Sequence, residues 1–272
     1  MLTQRIYLKE YFPQLGDDCE ASVDCYIPMQ MEELNRVTIL PCMVICPGGG
    51  YYMVSEREGE PVAMKFLQEG YCAFVIHYST APKGFPTQLL EVAAALEIIS
   101  INAEKWHCDI NDVSLVGFSA GGHLAAQYAN RYDCPEVRAV FPDSKPVQRN
   151  ILGYPVITST PELTHGITIA NFVGHEPETR DEKGCSCELL VTSKTPPTFI
   201  WHTAEDAVVP VENSLLYAQA LSANNVSFEL HIYPYGVHGL STLDPYISVV
   251  SGDKVEHCKQ WVDDCIRWLK IC

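Results

Sequence analysis

Val113-Ser114-Leu115-Val116-Gly117-Phe118-Ser119-Ala120-Gly121-Gly122-His123-Leu124-Ala125-Ala126-Gln127-Tyr128-Ala129 carries a strand-like run into a helix-like run through the pentapeptide Gly117–Gly121. A G-x-S-x-G between strand and helix is what a nucleophile elbow requires: a tight turn that pushes the serine oxygen into a cleft. The flanking glycines let backbone pass close to neighbouring elements without a Cβ clash. The start of the helix adds a positive dipole end near any developing oxyanion. By itself the pentapeptide arises by chance in roughly one chain of this size in ten. The reading therefore depends on a base, an acid and amide donors elsewhere in the right order.

The chain has 272 residues, within the range of one large α/β domain and long enough to bury a substantial core, and with 47% hydrophobic and 19% charged residues it reads as globular. Its formal net charge of −16, with no Lys/Arg-rich run, argues against nucleic acid or an anionic membrane surface as partner. Residues 1–9 hold no secretory apolar segment, and no apolar stretch approaches a transmembrane length. The expected address is the cytoplasm. Twelve cysteines are scattered through apolar runs, as at Cys42, Cys46 and Cys72, without a C-x-x-C pair. They read as reduced, mostly buried thiols, with Cys258 and Cys265 packing on a closing helix. A zinc site from Cys185, Cys187 and His175 is the metal reading on offer, and its spacing fits no common ligand pattern.

Val37–Cys46 reads as a buried strand running into Pro47-Gly48-Gly49-Gly50. A helix is expected over Glu58–Glu69, with Val62, Met64, Phe66 and Leu67 at helical spacing and Gly70 as its stop. Cys72–Tyr78 is the next strand, and Pro86 opens a long helix to about Ala103. Strands are expected at Val113–Val116, Val137–Phe141, Phe199–Thr203 and Phe228–Tyr233, and helices at Val211–Ala223 and Val255–Leu269. Alternating strands and helices imply an α/β fold, a doubly wound, mostly parallel sheet in one domain over residues 1–272. Residues 155–195 carry few periodic signals and are too long for a plain connection, so they read as a cap-like insertion or pocket loop.

A serine hydroxyl needs a histidine to take its proton and a carboxylate to orient that histidine. On sheets with such an elbow, the order along the chain is serine, acid, histidine. His238, in Gly236-Val237-His238-Gly239, follows a strand on a glycine-flanked turn and is the candidate base. His202 and His231 lie within strand patterns and read as supporting residues, while His123 is placed to brace the elbow rather than reach the serine oxygen. Asp206 follows the strand ending near Thr203 and is the candidate acid, with its neighbour Glu205 as rival; Asp244 would break the order. A tetrahedral intermediate also needs amide donors. Ala120, directly after the serine, supplies one, and the glycine loop after the strand ending at Cys46 supplies the others.

Four segments, Pro47–Tyr51, Gly117–Leu124, Pro196–Asp206 and Tyr233–Leu240, resemble the α/β-hydrolase superfamily, and within it the small carboxylesterases related to acetyl-xylan and other carbohydrate esterases. The resemblance implies Ser119, Asp206 and His238 as a catalytic triad and Gly49, Gly50 and Ala120 as an oxyanion hole. Lipase-like relatives often carry a histidine before the glycines; this chain has Pro47. Tyr51, Tyr52, Ser55 and Glu56 follow the loop and are offered as substrate contacts or loop anchors, and Trp201 as a core residue.

The expected activity is a serine esterase that removes a short acyl group, preferably acetyl, from a small saccharide, without metal or organic cofactor. The partners expected are a small-molecule ester and, in assembly, further copies of the same chain. The rivals are a small acylaminoacyl-type peptidase and a catalytically silent binding module, the latter disfavoured because no triad member is missing. A lipase would want a more apolar lid than the segment bearing Glu176, Glu178, Arg180, Asp181, Glu182 and Lys183.

Overall fold

The apolar runs that end at Cys46, His77 and Phe118 form the centre of the sheet, because neither of their faces carries polar side chains that need water. The computed structural model describes residues 1–174, 182–248, 250 and 252–272. The first half of the chain runs β1 (Leu2–Tyr7), α1 (Leu8–Tyr11), β2 (Ser22–Ile27), β3 (Leu40–Cys46), α2 (Glu60–Gln68), β4 (Cys72–His77), α3 (Thr87–Trp106), β5 (Cys108–Phe118) and α4 (Ala120–Arg131). There follow α5 (Pro135–Val140), β6 (Arg149–Gly153), α6 (Gly166–Val173), α7 (Glu182–Cys185), β7 (Thr198–Thr203), α8 (Glu212–Ala223), β8 (Phe228–Tyr233), α9 (Asp253–Glu256) and α10 (Gln260–Leu269).

The strands make one eight-stranded sheet in the order β1-β2-β4-β3-β5-β6-β7-β8. From β4 to β8 every pairing is parallel, while β1 and β2 add antiparallel at one edge. Side chains alternate between two buried layers. Val44, Phe74, Leu115 and Ile200 face the layer built with α3, α4 and α8. Met43, Ile45, Val75, Phe118 and Trp201 face the layer built with α2 and α10. In that second layer Trp201 stacks on Trp261 with ring centroids 5.0 Å apart, so its role is packing. The alternation buries both faces and so sets the strand register.

Two sequence expectations change. Val137–Phe141 is not a strand: Pro135 begins the helix α5, and the apolar residues at 137, 140 and 141 follow helical spacing with Val137 and Phe141 turned inward. The strand beside β5 is β6, a short run whose Asn150 and Arg149 masked its Ile151-Leu152 centre. The closing helix expected from Val255 is broken, with a 3-10 turn at His257–Lys259 before α10. Cys258 and Cys265 are buried there. His175, Glu176, Glu178, Arg180 and Asp181 lie outside the described residues. Among the described residues, no cluster of His, Cys, Asp and Glu is arranged to hold a metal ion, and no helix is long and apolar enough to cross a membrane.

The strand order places the site. The chain moves from β3 to β4 on one side, then returns to β5 on the other. At such a reversal the loops leaving the carboxyl ends of neighbouring parallel strands part and open a crevice. Here those loops are Gly48–Tyr51 after β3 and the Ser119 turn after β5.

Candidate active site

Ser119 sits between β5 and α4 with φ 53° and ψ −120°. For a residue with a side chain this conformation costs about 1–3 kcal/mol and persists only where the surroundings enforce it. They do. The Ser119 amide donates to the Gly153 carbonyl at 3.0 Å, and its carbonyl accepts from His123 and Val156 at 3.0 and 3.1 Å. A Cβ at Gly121 would collide with the carbonyl oxygens of Cys46 and Pro47, so the elbow packs directly on the end of β3.

Three side chains from three loops form a hydrogen-bonded row. His238 Nε2 lies 2.8 Å from Ser119 Oγ, and His238 Nδ1 lies 2.6 Å from Asp206 Oδ2. A carboxylate can only accept, so Nδ1 carries the proton and Nε2 accepts from the serine hydroxyl. Asp206 follows β7, and its side chain is fully buried. Its Oδ1 accepts from the Val208 and Val209 amides, each at 2.9 Å. Burial opposes its ionisation, but hydrogen bonds from His202 and His238, the charge attraction of His238 and the Val209 amide outweigh that and hold its carboxyl well below the usual carboxylate range. The rival Glu205 is exposed.

His202, in β7, completes the support. Its Nε2 lies 3.0 Å from the Val209 carbonyl and 3.3 Å from Asp206 Oδ2, two acceptors, so Nε2 donates and Nδ1 accepts from the Ser214 hydroxyl at 2.8 Å. On the other side of His238, Tyr154 donates to Glu58 Oε1 at 2.6 Å and accepts from the Ser241 amide at 2.9 Å. Glu58 Oε2 in turn accepts from the Gly48 amide at 2.7 Å. One buried carboxylate thus ties the glycine loop to the loop that carries His238. Arg57 adds a second tie, donating to the Gly239 carbonyl at 3.1 Å.

In the glycine loop, Gly49 and Gly50 take φ 123° and 62°, values that a residue with a Cβ rarely adopts. Among the described residues, the amides of Gly49, Gly50 and Ala120 donate to no protein acceptor. Gly49, Gly50, Ser119 and His238 line one cavity of about 460 Å³, together with Tyr52, Met53, Ser55, Glu56, Arg57 and His165. Orphan amides beside a hydrogen-bonded Ser–His–Asp row supply what acyl transfer requires.

Of the residues offered as substrate contacts, Tyr52, Ser55 and Glu56 face the cavity. Tyr51 does not: it is fully buried, and its hydroxyl is 2.9 Å from His123 Nδ1. Sequence reasoning missed Glu58, Arg57, Tyr154 and His165. Glu58, Arg57 and His165 stand outside any motif. Tyr154 follows β6, a strand whose polar start hides it from the hydrophobic pattern. His165 lies between β6 and β7, in the stretch 155–195, and contributes to the cavity wall.

Comparison with known proteins bears on the family. The prolyl oligopeptidase family model matches residues 91–267, and the BD-FAE family model matches residues 23–151. The chain is 38% identical to endo-1,4-beta-xylanase B of Butyrivibrio fibrisolvens over 78% of its own length and 34% of that protein's. It is 30% identical to an acetylxylan esterase of Xylanibacter ruminicola over 99% of its own length and 52% of that protein's. The chain therefore spans about a third to a half of the curated relatives it matches. The solved acetyl ester-xyloside bifunctional hydrolase of Caldicellulosiruptor lactoaceticus superposes with a TM-score of 0.84 at 33% identity, covering 98% of this chain and 96% of that one. By sequence and by fold, the chain belongs to the α/β-hydrolase superfamily, in the branch that the prolyl oligopeptidase family model describes and that includes carboxylesterases.

Proposed function

We propose that the chain is a serine carboxylesterase that removes short acyl groups, preferably acetyl, from small saccharides. The observation that carries this reading is the Ser119–His238–Asp206 row, whose Ser119 and His238 line one cavity with Gly49 and Gly50, while the amides of Gly49, Gly50 and Ala120 are unpaired among the described residues. Ser119 Oγ attacks the ester carbonyl while His238 Nε2 takes its proton. Asp206 holds the imidazole tautomer and stabilises the imidazolium. The three amides receive the oxyanion. His238 then protonates the departing alcohol, and water repeats the sequence on the acyl-enzyme.

The lining of the cavity supports a polar alcohol portion. Tyr52, Ser55, Glu56, Arg57 and His165 offer hydroxyl, carboxylate, guanidinium and imidazole groups, and Met53, Val54 and Val208 are its main apolar side chains. A long acyl chain would find little apolar surface to cover it. The names of the relatives, an acetylxylan esterase and an acetyl ester-xyloside hydrolase, support acetyl and sugar as the two halves of the ester. The same reading takes residues 1–272 as one domain with 155–195 inserted beside the cavity. Its free cysteines, ten of them buried, fit a reducing cytoplasm.

The test is hydrolysis of p-nitrophenyl acetate beside the decanoate, and acetate release from a panel of acetylated sugars. Preference for acetate in both assays is the expected result. Faster turnover of the decanoate would overturn the short-acyl reading. A second reading, an acylaminoacyl-type peptidase, is favoured by the prolyl oligopeptidase match over residues 91–267. Release of p-nitroaniline from acylated aminoacyl anilides at a rate matching the esters would establish it instead.

A further inference from the structure

The glycine loop is held by side chains from several parts of the fold, and one set is buried. Tyr51 directly follows Gly50 and takes φ 58°, a left-handed conformation uncommon for a bulky residue. Its side chain is fully buried among Tyr78, Phe172 and His123. His123 lies on the first turn of α4, four residues after Ser119, and is also fully buried. Its Nε2 is 2.9 Å from the Cys185 carbonyl, and its Nδ1 is 2.9 Å from the Tyr51 hydroxyl.

The direction of these bonds follows from the donor inventory. A carbonyl oxygen only accepts, so Nε2 carries the proton. Nδ1 is then bare and accepts from the Tyr51 hydroxyl. The chain reads Tyr51 O–H to His123 Nδ1, then His123 Nε2–H to the Cys185 carbonyl. Burial pushes the His123 imidazole down to about 4, more than the Cys185 carbonyl raises it, so this direction holds in neutral solution.

The far anchors belong to the 155–195 insertion. Cys185 ends α7. In α6, Asn171 donates to the Gly50 carbonyl at 2.9 Å, and the Phe172 ring packs edge-on against His123 with centroids 4.6 Å apart. The Gly50 peptide is therefore fixed on its carbonyl side by the insertion and one residue later by the nucleophile helix. Pro47, at the head of the loop, has no side-chain donor for this work.

We infer that Tyr51 and His123 are positioning residues: with Asn171 they form a strut, footed on the 155–195 insertion, that aims the Gly49 and Gly50 amides at the oxyanion. The strut refers these amides to the helix that also carries Ser119 and the Ala120 amide. The two halves of the oxyanion site thus share one rigid reference. The insertion acts as a scaffold for catalysis as well as a wall of the cavity. This inference rests on the serine-esterase reading.

The test uses Tyr51→Phe, which removes one oxygen and keeps the ring, with His123→Phe, the double variant, and Asn171→Leu from the insertion side. Each is assayed for kcat and KM on p-nitrophenyl acetate and for inhibition by a short trifluoromethyl ketone. That ketone gains a bond from Ser119 Oγ to its carbonyl carbon. The serine proton moves to His238, and the carbonyl electron pair becomes an oxyanion. Activity is normalised to active sites titrated with a phosphonate ester, so a misfolded fraction does not count.

Tyr51→Phe and Asn171→Leu are each expected to lower kcat roughly 10- to 100-fold, with KM within about threefold and inhibitor affinity falling in parallel with kcat. The His123→Phe double variant should be little worse than either of its single variants, because both break one strut. A lower melting temperature with unchanged kcat and inhibitor affinity per active site would make the strut mere packing and overturn the inference. If His123→Phe does not fold, Tyr51→Phe and Asn171→Leu decide alone. The underlying reading fails separately: native protein would then be inactive on the ester, or Ser119→Ala would retain activity.

Discussion

The Tyr154 ring stands edge-on to the His238 imidazole, centroids 5.0 Å apart at 69°, while its hydroxyl bridges Glu58 and the Ser241 amide. The face of the histidine and the far side of the glycine loop are thus set by one buried phenol. Tyr154→Phe keeps the ring and removes the bridge. It leaves a buried carboxylate oxygen and a buried amide unpaired, which should cost about 1–3 kcal/mol of stability. Esterase kcat should fall roughly tenfold as the His238 loop loosens. Chemical denaturation and steady-state kinetics check both; an unchanged kcat would show that the ring contact alone orients His238.

Ser119→Ala should abolish turnover of p-nitrophenyl acetate while leaving the melting temperature near that of the native protein. Asp206→Asn should lower kcat by about 10⁴, because an amide favours the wrong imidazole tautomer. Glu205→Gln should do almost nothing, since Glu205 is exposed. A large loss in Glu205→Gln beside an active Asp206→Asn would reverse the assignment of the acid.

Asp206 also links stability to acid. Its folded pKa lies below the ordinary carboxylate value near ~4, so its contribution is fully present above that value. It is lost as pH falls through the depressed folded value. Native protein should lose stability steeply below about pH 4, and Asp206→Asn should show a shallower acid limb. Identical acid limbs in urea titrations would contradict this.

Glu91 carries the opposite sign. Burial pushes its carboxyl up to about 7, against hydrogen bonds from the Ser79 hydroxyl and amide that favour ionisation. Between the unfolded value near ~4 and the folded value, the native state binds the extra proton, so stability falls as pH rises through this window. Glu91→Gln, which keeps the neutral shape, should be more stable than the native protein at pH 8, by up to about 3 kcal/mol, and nearly equal at pH 4. A Glu91→Gln variant destabilised at pH 8 would show that the charged form is the preferred one.

Gly121→Ala should cost about 3 kcal/mol or more, because the new methyl meets two backbone carbonyls that cannot move without shifting β3. Soluble yield and thermal melting measure it. A stable, active Gly121→Ala variant would mean that the elbow and β3 separate more easily than their packing indicates.

Much of the site was legible because its members are close in sequence to the strand ends that hold them. Ser119 announces itself through the glycines that the turn needs. Asp206 and His238 each follow an apolar run after a few residues, so their emergence at one edge follows from parallel strands. The supporting residues have no such local signature. Glu58 lies in Ser55-Glu56-Arg57-Glu58, a spacing that resembles a helix cap, yet its carboxylate turns inward to Gly48 and Tyr154. Val137–Phe141 and Arg149–Gly153 show the limit for elements: a five-residue segment with two to four apolar residues fits strand and helix alike until its neighbours are known.

Tyr51 marks the division. The sequence by itself determined that an alternating α/β chain presents a serine elbow, a glycine loop, an acid and a histidine in hydrolase order, because period and turn chemistry are local properties. It could not say whether the tyrosine after the glycines faces substrate or core. That depends on His123 from α4, Phe172 from α6 and the carbonyl of Cys185, groups up to 134 residues away in the chain. Only the tertiary packing brings them together, and the cost of a buried hydroxyl without a partner then fixes where Tyr51 points.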